Sequence, residues 1–194
     1  MGELRGSHRW HFGLAVALGG LALLDMASTW LPGDFAPSKW LVFGVLVAVF
    51  PVFTVAMFRS SGPARLMRRG NSVLFLQYVL ALPTALKIGY PLVLGLAALG
   101  FATGAGPAQD AQTDSSGYYY TYLDKSADPQ HEVRVDLTEA GYHKAVKAEL
   151  RIFSAAPVPF LELSSFLVLV SASEAASAAT PPATSAARRR RGRR

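Results

Sequence analysis

The 194 residues contain no cysteine, which excludes disulfides, thiolate metal sites and a cysteine nucleophile. Charge is scarce too: Asp, Glu, Lys and Arg together make up 16% of the chain, and all but three of them lie between long apolar blocks rather than within them. A water-soluble domain spreads charge along every element, so this clustering is not its pattern. Histidine is limited to His8, His11, His131 and His143, all outside the apolar blocks. Haem held between membrane helices would lack ligands, and two imidazoles per neighbourhood without a ligand motif do not frame a zinc site. No glycine-rich phosphate loop, Ser-His-Asp arrangement or paired-carboxylate motif is present. The expectation is therefore no metal, no cofactor and no enzyme.

What the chain does have is four apolar stretches, 12–31, 40–58, 73–101 and 152–172. About 20 apolar residues cross a hydrocarbon core of roughly 30 Å, and in lipid the backbone must satisfy its own polar groups, so each is expected to be a helix. The fold class is an all-α membrane protein with four transmembrane helices and a small extracytoplasmic insertion, a β-hairpin plus helix. The third stretch is the longest at 29 residues, and it contains Pro83, Gly89 and Pro91. Missing backbone donors predict a kink or break there, which also fits an overlong segment into a thinner core.

Basic residues set the orientation. The N-terminal flank, the connection between stretches two and three, and the C-terminal tail carry twelve Lys and Arg against two acids; the other two connections carry six against nine. Both termini are thus expected to be cytoplasmic in the plasma membrane, with 102–151 outside. A competing reading makes the first stretch a cleaved signal peptide, but Asp25, Met26 and Trp30 stand where small residues should flank a cleavage site.

The outward region has local order. A flexible polar lead-in, 105–117, precedes "YYYTYLD", which alternates with Tyr118, Tyr120 and Tyr122 on one face. "HEVRVDL" alternates again after the turn "KSADPQ", giving a hairpin. Thr138 is placed to cap a following helix, where Tyr142, Val146, Leu150 and Phe153 form one stripe. A lone hairpin is marginal in water, so its valine face is expected against that stripe or on the bilayer surface. The stretch "YYYTYLDKSADPQHEVRVDLTEAGYHKAVKAELRIFSA" with "SFLVLVSASEAA" resembles uncharacterised small multi-pass integral membrane proteins of actinobacteria. That resemblance implies a membrane location and carries no catalytic residue.

Asp25, Lys87 and Glu162 are the ionisable side chains inside the stretches. A charge near the bilayer centre costs about 2.5–3.5 kcal/mol on insertion scales, so such groups pair or face a cavity. Counting residues from the span ends places all three in the outer half, where they form a candidate intramembrane charged cluster. Two readings follow: a cation or proton path, or an ion pair that sets helix register, with Lys87 free to reach the headgroups. The tail from Ser173 is low in complexity and expected to be disordered. Arg188, Arg189, Arg190 and Arg191, together with Arg65, Arg68 and Arg69, are candidate contacts to anionic lipid on the cytoplasmic side; no aromatic residue interleaves the tail's run, so nucleic acid is not expected. The functional expectation is an accessory, sensing or assembly role, with Tyr118, Tyr120 and Tyr122 contacting a membrane or envelope protein. A small transporter or channel component built on Asp25, Lys87 and Glu162 is the alternative.

Overall fold

The computed structural model describes residues 4, 6–59, 72–106, 110–126 and 131–179. The elements run α1 (Ser7–Ser28), α2 (Lys39–Arg59), α3 (Ser72–Ala81), α4 (Thr84–Gly104), β1 (Gln112–Asp114), β2 (Gly117–Asp124), β3 (His131–Leu137), α5 (Glu139–Ala155) and α6 (Pro157–Ala179). Four helical stretches are long and apolar enough to cross a membrane: α1, α2, α4 and the joined α5–α6.

Several boundaries differ from expectation. The overlong third stretch is two helices: Leu82 and Pro83 separate α3 from α4, because Pro83 has no N–H to donate and disfavours helical geometry in the residue before it. Pro91 is accommodated inside α4 without a break. At the other end, α6 does not stop at residue 172. Ser173–Ala179, expected to be disordered, continues as helix, since alanine adds to an established helix at little cost and the proline pair at 181–182 comes only later. α1 starts earlier than expected, so His8 and His11 lie within it.

α6 is the central helix. Val158, Leu161, Ser164, Ser165, Val168 and Val170 are buried, and it packs against both α1 and α2. Its buried serines donate to their own helix: Ser164 to the Phe160 carbonyl at 2.7 Å, Ser171 to Val168 at 2.9 Å. They therefore act as small interface residues with no orphaned hydroxyl. α1 crosses close by, where Leu161 meets Gly19 and Ala15. Leu24, Phe50, Ile88 and Leu92, on α1, α2 and α4, face away from the bundle's interior, each more than 60% exposed.

Two basic side chains one turn apart on α5 hold the bundle's end together. An α-helix leaves its last carbonyls unpaired, and cations are favoured there. Lys147, buried, donates to the carbonyls of Leu31 (2.8 Å) and Gly33 just beyond α1. Arg151 donates from Nε to Thr29 Oγ1 (2.9 Å), from Nη2 to the Thr29 carbonyl (3.2 Å) and from Nη1 to the Thr103 carbonyl in the last turn of α4 (2.8 Å). Its guanidinium also sits over Trp30, 5.2 Å from the ring centroid. Between these anchors α4 approaches α5 through Gly100 and Gly104. A Cβ at Gly104 would lie 2.7 Å from the Ala148 carbonyl and 2.6 Å from Ile152 Cγ1.

The sheet has order β1-β2-β3, all antiparallel, with Tyr118 opposite Leu137, Tyr120 opposite Val135 and Tyr122 opposite Val133. β1 was expected to be flexible lead-in; it pairs Gln112 with Tyr119 and Thr113 with Tyr118. Arg134 explains the third strand: it reaches Asp114 (2.6 Å) and Asp136 (2.9 Å) and covers the Tyr119 ring at 3.7 Å. Hydrogen bonds from Arg134 and Ser116 hold the Asp114 carboxyl well below the usual carboxylate range, so this contact survives into acid and is lost only as pH falls through that lowered value. The turn residues 127–130 lie outside the described residues. Thr138 caps α5 as expected, accepting from the Gly141 N–H at 3.1 Å. The α5 stripe, however, meets the sheet only through Tyr142, and not through a valine face laid along it. Tyr142, Val146, Leu150 and Phe153 cluster with Ala36 and Val42 at the start of α2. The hairpin's aromatic link to α5 is the stacked Tyr118–Tyr142 pair, centroids 4.6 Å apart.

Four substitutions test this account. Arg151→Met should destabilise the protein by about 3 kcal/mol, since it strands three acceptors, and Arg151→Lys should recover less than half, an ammonium lacking the planar fork. Equilibrium unfolding in detergent reads both; an unchanged Arg151→Met would remove the anchor from the account. Gly104→Ala should cost about 1–3 kcal/mol because the obstructing atom is backbone, and more than Gly100→Ala, where the flexible Met26 side chain can give way.

Candidate functional site

The break between α3 and α4 leaves space against α6. A cavity of about 230 Å³ opens there, lined by apolar side chains from all three helices and by two charged ones, Lys87 and Glu162. Its polar framework is a short chain of hydrogen bonds. Ser165 Oγ donates to the Glu162 carbonyl at 2.8 Å, which leaves Tyr90 as the donor in its 2.9 Å bond to Ser165. Tyr90 thus ties α4 to α6 directly beside the Glu162 side chain. Glu162 Oε2 is shut away from the surface and has no hydrogen-bond partner among the described residues.

The expected three-charge cluster is not formed. α4 and α6 run antiparallel, as the neighbouring contacts Tyr90 to Ser165 and Gly100 to Ala155 require. Lys87 precedes Tyr90 by one turn and Glu162 precedes Ser165 by one turn, so the two diverge in opposite directions, by roughly 9 Å along the axes at 1.5 Å per residue. Asp25 lies farther off. Since Leu161 is level with the stretch between Ala15 and Gly19, Asp25 sits roughly 12 Å from Glu162 toward the α5 end. It is buried on α1, its Oδ2 without a partner. Among the described residues no ion pair joins any two of the three. The three do not share the depth that counting from the span ends predicts, because the helix restarts after Pro83: α4 begins at Thr84, and Lys87 is in its first turn, at the end away from α5.

The remaining candidates separate as follows. Tyr118, Tyr120 and Tyr122 share one sheet face with Val133, Val135 and Leu137. Tyr122 is 45% exposed, whereas Tyr118 is engaged by Tyr142. Arg65, Arg68, Arg69 and Arg188 to Arg191 lie outside the described residues. His11, expected outside the spans, is buried, and its Nε2 donates to the Val52 carbonyl at 2.9 Å; a carbonyl only accepts, which assigns the proton to Nε2. His143 lies 3.9 Å from Glu139, one turn back on α5. Sequence reasoning missed Lys147, Arg151 and Tyr90. The first two carried a signal, a pair of basic residues at i, i+4 beside the apolar stripe of an amphipathic helix. Tyr90 carried none.

No family model, curated protein or solved structure matches the chain. The roles of these residues therefore rest on their geometry.

The separation of Lys87 from Glu162 is testable. Lys87→Met and Glu162→Gln should add in stability to within about 0.5 kcal/mol, as distant sites do. A coupling energy above about 1 kcal/mol in the double-mutant cycle would mean that the two side chains meet.

Proposed function

We propose that the chain is a multi-pass integral membrane protein of the plasma membrane, with both termini cytoplasmic. The aromatic residues at the ends of α1 and α2 support the embedding. Trp10 and Trp30 are exposed and twenty positions apart, roughly 30 Å along a helix; Trp40 and Phe58 are exposed and roughly 27 Å apart. Both spacings match a hydrocarbon core bounded by interfacial rings. The excess of Lys and Arg in the N-terminal flank, the second connection and the tail supports the orientation, with Arg65, Arg68, Arg69 and the terminal arginines against anionic lipid.

The role that best fits is non-catalytic: an accessory, sensing or assembly protein that presents the outer sheet to a membrane or envelope protein. The observation that carries this is how the sheet is mounted. It rests on α5, which continues into the central helix α6 and is fastened to α1 and α4 by Lys147 and Arg151. Yet the tyrosine and valine face beyond Tyr118 is only half covered, with Tyr120, Val133 and Val135 partly exposed and Tyr122 more so. A firmly held surface with unfinished apolar cover suits a contact. A transporter or channel component is the second reading, favoured by the broken helix beside Glu162.

The absence of native cysteine makes topology directly measurable. A membrane-impermeant maleimide should label Lys125→Cys in intact cells and Ser7→Cys only after the membrane is disrupted. Equal labelling of both in intact cells, or the reverse order, overturns the proposed arrangement.

A further inference from the structure

We propose that the cavity between α3, α4 and α6 is a binding site for an amphiphile dissolved in the bilayer and carrying a single amine head, with Glu162 as the residue that receives the amine. Three features lead there. First, the cavity is almost wholly apolar: Leu82, Leu86 and Phe166 are typical of its wall, and it lies between α4 and α6, both parts of helical stretches long and apolar enough to cross a membrane. Its occupant must therefore travel through lipid. Second, the acceptor capacity is unfilled. Tyr90 is committed to Ser165, and Glu162 Oε2 has nothing to accept from, although a buried carboxylate oxygen without a donor is costly. A ligand bringing N–H donors, and a positive charge when protonated, removes that deficit. Third, the resident cation does not do so. Lys87 lines the same cavity but is exposed and displaced along the axis by roughly 9 Å, and among the described residues no ion pair joins it to Glu162.

The volume limits what fits. At about 230 Å³ the cavity falls below the roughly 300–1,000 Å³ typical of drug-sized ligand sites. It takes the amine and the first part of an alkyl chain, and the rest of the chain runs out between α4 and α6 into lipid. An acidic head is disfavoured by Glu162, and a bulky phosphodiester head by the size.

The inference rests on the membrane-embedded reading, and its test separates the two. The probe is dodecylamine with a photoreactive diazirine in its tail, added to the full-length protein in phosphatidylcholine vesicles. Crosslinks should concentrate on peptides spanning 79–94 and 159–166. Excess plain dodecylamine should suppress them, and the water-soluble ethanolamine should not. Glu162→Gln should lower crosslinking there about tenfold, and Asp25→Asn should leave it unchanged. Leu86→Trp, which fills the cavity while keeping the carboxylate, should abolish it and guards against a folding defect at position 162. Even labelling of all outward-facing helices, or undiminished labelling in Glu162→Gln and Leu86→Trp, overturns the site while leaving the embedding intact. No labelling of α1, α2 or α4 at all overturns the embedding itself. Suppression by ethanolamine assigns the amine to the aqueous phase and overturns the lipid route.

Discussion

The open carbonyl ends of α1 and α4 are the constraint that organises this protein. Both helices finish at the same end of the bundle, and each presents acceptors that the backbone cannot satisfy from within. Lys147 and Arg151 reach these ends and the turn just beyond α1 from a single face of α5, five hydrogen bonds in all, four to carbonyls and one to the Thr29 hydroxyl, each with a charged donor. Such bonds are stronger than neutral ones, and the helix ends are where a cation is favoured. Because both basic residues belong to one rigid helix, they fix the distance between α1 and α4. They also fix the register of α5 on both, since a slip of one residue would carry the two donors away from every acceptor. The close approach at Gly100 and Gly104 is the steric counterpart: without side chains there, α5 can come near enough for Arg151 to span the gap.

That anchoring has consequences in both directions along the α5–α6 rod. Outward, it steadies Thr138 and Tyr142, which position the three-stranded sheet; Arg134 then completes the sheet's polar face by gathering Asp114, Asp136 and the Tyr119 ring. Inward, it delivers α6 to the centre, where small and β-branched residues let α1 and α2 close around it. The cavity at the α3–α4 break is where this closing fails. Pro83 interrupts the helix that would otherwise cover the Glu162 side of α6, and the Tyr90 to Ser165 bond holds α4 at that distance.

A carboxylate left in such a place is not a natural ion-path element by itself. A conducting row needs polar groups at successive depths on facing helices, and here the three ionisable groups stand at three levels with no ion pair between them among the described residues. A single binding position beside a broken helix is the simpler use of Glu162, and it is compatible with the accessory role proposed above.

Much of this was legible from residue order. Apolar stretches of 19 to 29 residues could be read as helices because length and hydropathy are properties of the chain alone, and Pro83, Gly89 and Pro91 announced a kink or break in the third, though not that it would fall at Pro83 and spare Pro91. Alternation revealed β2 and β3, spacing revealed the α5 stripe, and Thr138 declared itself as a cap. What residue order could not determine was partnership across the fold. Whether the stripe met the valines or α2, whether Lys87 and Glu162 stood at one depth, and which acceptors drew Lys147 and Arg151 inward all depend on the relative height of antiparallel helices. That height is set by glycines and helix ends brought together from distant parts of the chain, and a spacing rule that operates within one element carries no information about it.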